Sequence, residues 1–310
     1  MLETVELRKV YKGKIAVQEV SLYLDQGESV GLIGPNGAGK STTISMISSL
    51  LKPTSGDVRL HGKSVIQQPQ AIRKVLGVVP QEIALYEELT AYENLKFFGR
   101  VYGLKGKELE QKIQELLEMV GLRDRQKELI KTYSGGMKRR INIVAALLHE
   151  PQIVIMDEPT VGIDPQSRNH ILETVRLLNR VQGTTVLYTS HYMEEVEQLC
   201  QRMYIMDHGQ IIAAGTREEL QHILAGEDTI IIQLSHKEFG LTQELESFES
   251  IRQVEETEQG LKLIVIKNSP IMSRIVQAAE RHHVQILNIH VQSPSLEDVF
   301  LHLTGRTLRD

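Results

Sequence analysis

Residues 29–51, SVGLIGPNGAGKSTTISMISSLL, constrain the fold of this chain more tightly than any other stretch. An apolar run (29–33) leads into a glycine-rich turn (34–39), and a helical pattern starts at Lys40. Gly34, Gly39, Lys40 and Ser41 satisfy G-x-x-x-x-G-K-[ST], with Gly37 as an extra glycine inside it. A polyphosphate lying in such a loop must meet bare backbone N–H groups, and side chains facing it would be in the way. The helix starting near Lys40 adds unpaired donors and the positive end of its dipole. Lys40 is then the residue that reaches the β and γ phosphates, and the Ser41 hydroxyl is a ligand for Mg²⁺. At average glycine usage, a chance match in a chain of this length arises on the order of 1% of the time. The whole loop, Gly34, Pro35, Asn36, Gly37, Ala38, Gly39, Lys40, Ser41 and Thr42, is therefore read as a nucleotide phosphate site in an α/β fold.

Such a loop needs a partner acid for its metal, and IVIMDEP (153–159) supplies one. Four apolar residues form a buried strand that ends in Asp157, where a carboxylate can hold Mg²⁺ directly or through water. Glu158, one position on, points elsewhere and is placed to orient or deprotonate an attacking water.

Composition narrows the remaining options. The 310 residues carry 24% charged and 41% hydrophobic side chains, enough for about two globular domains. A net charge of −5 argues against non-specific nucleic-acid binding. The single cysteine, Cys200, excludes an internal disulfide and fits a reducing compartment. MLETVELRKVYKGK at the amino end lacks a signal peptide's apolar core, and no apolar run approaches a membrane span. Any membrane-spanning part is expected to be another chain.

Taken in order, 4–10 and 16–24 alternate as antiparallel strands do, with Tyr11 between them. Short strands are expected at 58–60 and 76–79, and a helical region at about 87–150, in which Ile113, Leu116, Leu117 and Val120 share a face and Gly121 stops a helix. Strands at 153–156, 185–189, 202–206 and 211–214 alternate with helices at 167–182 and 193–200, which gives a mainly parallel core. At 225–228 the character changes. Beyond it the order βαββαβ predicts a small ferredoxin-like α+β domain over 225–310, separate from 1–224, with a capping box Ser295-x-x-Asp298 opening a last helix.

YSGGMKRR (133–140) resembles the signature motif of ABC-type ATPases. With GPNGAGKST (34–42), VVPQE (78–82), IVIMDEP (153–159), VGID (161–164) and TSHYMEE (189–195), the motifs stand in family order over roughly residues 2–220. The form YSGGMKRR and the ending SPSLEDVFLHLTGRTLRD (293–310) resemble the bacterial drug-export branch, typified by daunorubicin-resistance ATPases. Where the commonest signature has Leu and Gln, this chain has Tyr133 and Met137, and Ile163 replaces the Leu of the crossing loop. Lys138-Arg139-Arg140 reads as a solvated first helical turn rather than a nucleic-acid patch.

The resemblance implies a P-loop ABC ATPase domain, with a mainly parallel core sheet, an antiparallel amino-terminal part and a helical subdomain. It implies ATP and Mg²⁺, hydrolysis by Glu158, and export of a drug-like compound through separately encoded membrane subunits. Tyr11 would stack on adenine, and Gln81 would touch the metal and the water. Ser134, Gly135 and Gly136 would bind the γ-phosphate of ATP held by a second ATPase subunit, an identical copy or a close paralogue. Asp164 would cross between the two, and His191 would contact the γ-phosphate. The metal set is Ser41, Gln81 and Asp157, no nucleic acid is implied, and the expected location is the cytoplasmic face of the membrane. An importer ATPase is the nearest competitor, and a soluble non-transport ABC ATPase is the other alternative.

Overall fold

The computed structural model describes residues 1–224, 226–267, 269–292 and 295–305; the expected change at Ala225 and part of the 293–310 ending lie outside them. The chain divides into two compact units, Met1–Thr216 and the part from Arg217 onward.

The first unit opens with antiparallel strands β1 (Leu2–Tyr11), β2 (Lys14–Val20) and β3 (Tyr23–Leu24). Then β4 (Ser29–Ile33) runs into helix α1 (Lys40–Ile47), followed by β5 (Ser55–Leu60), β6 (Lys63–Ser64), α2 (Pro69–Arg73) and β7 (Leu76–Val79). Three helices come next: α3 (Ala91–Val101), α4 (Gly106–Met119) and α5 (Gly135–Leu147). The unit closes with β8 (Ile153–Met156), α6 (Pro165–Arg180), β9 (Thr185–Ser190), α7 (Met193–Leu199), β10 (Arg202–Asp207) and β11 (Gln210–Gly215).

Among the described residues these strands make two sheets. One has the order β2-β1-β5-β6, with β3 also on β1, and is antiparallel. The other has the order β11-β10-β4-β9-β8-β7 and is parallel except for β11 at its edge. Strands β4, β8 and β9 are buried at every position, as strands covered on both faces must be. Leu2, Leu7 and Val17 of the antiparallel sheet share one core with Leu32, Ile155 and Leu187 of the parallel sheet and with Ile44 and Ile47 of α1. The antiparallel amino-terminal part is thus a sheet of its own, packed over α1.

The helical region begins with a full capping box, Thr90 with Glu93. Ile113, Leu116, Leu117 and Val120 are all buried, and Gly121 takes φ 64° just past the end of α4, as expected of a helix stop. Helices α3, α4 and α5 pack on one another.

The second unit holds α8 (Arg217–Gln221), β12 (Glu227–Leu234), α9 (Phe239–Glu246), β13 (Ile251–Thr257), β14 (Gly260–Ile266), α10 (Ile271–Arg281), β15 (Ile286–Gln292) and α11 (Leu296–Thr304). Its sheet has the order β13-β14-β12-β15 with every pair antiparallel, the ferredoxin-like arrangement. Helix α8 packs on α11, so this unit begins upstream of the composition change at 225–228. The Ser295 cap forms, and its partner Asp298 is fully buried. Burial raises the Asp298 carboxyl, but the Lys262 ammonium at 2.5 Å and the Ser295 bonds outweigh it and hold the group below the usual range.

Candidate active site

The loop between β4 and α1 is shaped by its own chain. A methyl group on Gly34 would lie 2.2 Å from the Met206 carbonyl oxygen, so β10 leaves no room for a side chain there. Gly39 has φ 107° and faces the Ala16 carbonyl oxygen of β2, where a methyl would come within 2.7 Å. Helix α1 has no side-chain cap and no acid in its first turn, so its amino end presents open N–H donors. Lys40 is 5% exposed, and its ammonium donates to the carbonyls of Gly34 (2.7 Å) and Pro35 (3.2 Å). A buried ammonium beside an uncapped helix start is the donor set a polyphosphate needs. Mg²⁺ binds through one or two carboxylates plus substrate phosphates, and Asp157 with the Ser41 hydroxyl are donors of that kind.

Glu158 stands at the centre. One carboxylate oxygen lies 3.1 Å from the Lys40 ammonium, and the other accepts from Gln81 Nε2 at 3.4 Å and lies 3.5 Å from His191 Nδ1. Three separate segments therefore converge on one buried carboxylate. Its backbone is in the left-handed region, φ 46°, which is uncommon for a side-chain-bearing residue. The turn is held by the Glu158 N–H donating to Thr189 Oγ1 at 2.8 Å. The Thr189 hydroxyl sits 2.9 Å from Asp157 Oδ1 and 3.3 Å from the Met156 carbonyl oxygen. One hydroxyl of β9 thus orients both acids at the end of β8.

Behind this cluster, Glu195 of α7 is 3% exposed. A single oxygen, Oε2, accepts from Thr160 (2.8 Å), Ser190 (2.8 Å) and Tyr188 (2.9 Å), and Arg168 Nε lies 3.5 Å from the other oxygen. Burial, and then the Glu195 charge, push the Tyr188 hydroxyl well above its ordinary range. This carboxylate ties the turn after Glu158 to the turn that carries His191.

The signature residues form a second cluster. Ser134 caps α5 by accepting from the Met137 N–H (3.3 Å), and Asp164 caps α6 by accepting from the Ser167 N–H (2.9 Å). That backbone bond holds the exposed Asp164 carboxyl below its ordinary value. Gly136 is where the two helix starts meet: a methyl there would fall 2.1 Å from Ser167 Oγ. Tyr133 and Met137 replace the commoner Leu and Gln by local packing. The Tyr133 hydroxyl donates to the Arg125 carbonyl at 2.7 Å, and Met137 sulfur accepts from the Arg125 guanidinium at 3.7 Å.

Tyr11 ends β1, pairs with Lys14 across the hairpin and is 46% exposed, with Lys9 Nζ 5.2 Å from its ring centre. The structure therefore joins the 34–42 loop with Gln81, Asp157, Glu158 and His191, builds Ser134–Gly136 with Asp164 as another group, and leaves Tyr11 on the surface.

One expectation fails. Lys138-Arg139-Arg140 is not a solvated turn: Arg139 is 4% exposed, Arg140 donates to the Val120 carbonyl (2.9 Å), and Lys138 pairs with Glu87 (2.5 Å). The triplet faces its neighbours because both guanidinium groups have carbonyl acceptors there, Pro80 and Gln81 for Arg139 and Val120 for Arg140. Arg139, Thr189 and Glu195 are positions that motif reading passed over. No local signal marks Arg139: the helix reads GGMKRRINIVAAL, and nothing in the order of Lys138, Arg139, Arg140 and Asn142 sets the buried guanidinium apart.

Comparison with known proteins agrees with this architecture. Residues 17–161 match the ABC transporter family, and residues 215–304 match the C-terminal domain of DrrA1-3-like ATP-binding proteins. The chain is 49% identical over 312 residues to the linearmycin resistance ATP-binding protein LnrL of Bacillus subtilis, covering all of both chains. It is 36% identical over 323 residues to the daunorubicin/doxorubicin resistance ATP-binding protein DrrA of Streptomyces peucetius, covering all of this chain and 94% of that one. Among solved structures, an ATP-binding subunit of an ABC transporter superposes with a TM-score of 0.66 at 33% identity, over 73% of this chain and 93% of the other. The dimeric bacterial ABC transporter cassette MJ0796 superposes with a TM-score of 0.65 at 28% identity, over 70% and 98%. The chain belongs to the ABC transporter ATP-binding proteins, ATPases, in the branch that carries the DrrA-type C-terminal domain.

Proposed function

We propose that this chain is the motor subunit of an exporter for a drug-like or lipophilic compound, with Glu158 as the general base of ATP hydrolysis. The observation that carries the reading is the convergence of Lys40, Gln81 and His191 on the Glu158 carboxylate. Lys40 pairs with Glu158 at 3.1 Å. Once Lys40 turns to the β and γ phosphates, Glu158 is left as an anion beside Gln81 and His191, able to take a proton from water. Gln81 and His191 position that water and the terminal phosphate. Mg²⁺, held by Ser41, Gln81 and Asp157, would neutralise charge on the phosphates. The exposed ring of Tyr11 stacks on adenine, which contributes about 1–3 kcal/mol and tolerates different bases.

In this reading Ser134, Gly135, Gly136 and Asp164 serve the nucleotide of a second ATPase subunit, so the working unit is a dimer beneath separate membrane subunits at the cytoplasmic face. Export is favoured by relatives named for linearmycin and daunorubicin resistance and for Nod factor export. Among the described residues no helix is long and apolar enough to cross a membrane.

The test is kinetic. Glu158→Gln keeps the shape and removes the proton acceptor, so hydrolysis should fall about 10²- to 10⁴-fold while Mg-ATP stays bound. A variant that turns over within threefold of the parent would remove Glu158 from the role of base.

A further inference from the structure

Arg139 lies one and a half turns into α5, the helix capped by the signature serine Ser134. Its guanidinium is buried, and it does not meet an acid. Nη1 donates to the Pro80 carbonyl at 2.7 Å, and Nη2 donates to the Gln81 carbonyl. Three residues on, on the same face, Asn142 Oδ1 accepts from the Ala84 N–H at 3.2 Å. Helix α5 therefore grips the 80–84 loop at both ends, through backbone groups alone. The cost of the arrangement is visible in the guanidinium: burial lowers its proton affinity, and only then does the charge of Asp157 pull the other way. A cation desolvated to this degree to hold two carbonyls of one loop is an expensive way to fill space, since an apolar side chain would pack there without it.

The loop it holds carries Gln81, whose side-chain amide reaches the Glu158 carboxylate from the same residue whose carbonyl Arg139 fixes. We propose that Arg139 is a positioning residue for hydrolysis: its two-pronged grip sets the backbone of Gln81, and so the placement of the Gln81 amide at Glu158. Because Arg139 and Ser134 share one helix, the strut also joins the residues that serve this chain's own nucleotide to those that serve the second subunit's. The inference rests on the reading of Gln81 given above. Arg is required because the planar fork matches two adjacent carbonyls, whereas a lysine ammonium is a single point of donation.

The test uses the full chain and steady-state hydrolysis of Mg-ATP by the parent, Arg139→Lys, Gln81→Ala and the double variant. Arg139→Lys should lower kcat about tenfold, at the low end of what removal of an outer orienting partner costs, with KM changed less than about twofold. The double variant should have the kcat of Gln81→Ala alone, because Arg139 acts through Gln81. Effects that multiply in the double variant, or a parental kcat for Arg139→Lys, would overturn the proposal while leaving the role of Gln81 intact. A parental kcat for Gln81→Ala would instead overturn the reading of Gln81, and the proposal with it. Melting temperatures accompany the kinetics, and Arg139→Gln, which keeps one amide donor, is measured in the same way. Failure of both Arg139 variants to fold would assign Arg139 to the stability of the core and overturn the positioning role.

Discussion

Three hydroxyl groups share one oxygen of Glu195, and none of Thr160, Tyr188 and Ser190 has ready access to solvent. Removing that acceptor strands three buried donors and the nearby Arg168 guanidinium at once. Glu195→Ala should therefore destabilise the protein by about 3–5 kcal/mol, seen as a melting temperature lower by about 10 °C for a unit of this size. A drop of less than about 2 °C would mean that the hydroxyls find other acceptors and that the cluster is not a structural joint. At this scale the sequence was legible wherever the chemistry demands a residue type at fixed spacing: Lys40, Ser41, Asp157 and Glu158 could be read without any structure. Glu195 and Arg139 could not. Arg139 holds carbonyls of the distant Pro80–Gln81 segment and Glu195 reaches Thr160 on another turn, and no local spacing encodes that.

Strands β4 and β8 were legible as short apolar runs bounded by turn residues, and β9 by its β-branched and aromatic residues. The short pieces β6 and α2 carried too few residues to show a period, and the division of the helical region into α3, α4 and two 3₁₀ turns was only partly visible. Helix α5 marks the clearest limit. Its opening glycines read as phosphate-binding, and its basic triplet read as solvated. The structure gives Gly136 a second reason to be glycine, the close meeting of α5 with Ser167 of α6, and buries Arg139 on the 80–81 segment. Gly136→Ala should force the two helix starts apart and lower the stability of the nucleotide-free chain by about 1–3 kcal/mol. Adding Ser167→Gly, which removes both atoms in the way, should recover part of the loss. An unchanged melting temperature for Gly136→Ala would show that the α5–α6 contact yields freely, leaving phosphate binding as the only reason for the glycine.

The whole molecule consists of an ATPase unit and a ferredoxin-like unit, each with its own core. The βαββαβ order of the second unit and the main strand–helix alternation of the first were readable from the chain. In the proposed reading, one chain does not supply a complete nucleotide site. Lys40, Asp157 and Glu158 form one wall, while Ser134–Gly136 and Asp164 form a separate group at the starts of α5 and α6. The central claim is that ATP closes two ATPase subunits on each other, with the signature residues of one completing the phosphate site of the other. The most direct measurement is light scattering on a size-exclusion column, with and without Mg-ATP, for Glu158→Gln and for Glu158→Gln with Ser134→Arg. Blocked hydrolysis should accumulate the closed state by mass action, so Glu158→Gln should run as a dimer with Mg-ATP and as a monomer without it. Ser134→Arg should abolish that dimer while each chain still binds ATP. A dimer that survives Ser134→Arg, or a Glu158→Gln protein that binds ATP and stays monomeric at high concentration, would contradict the claim.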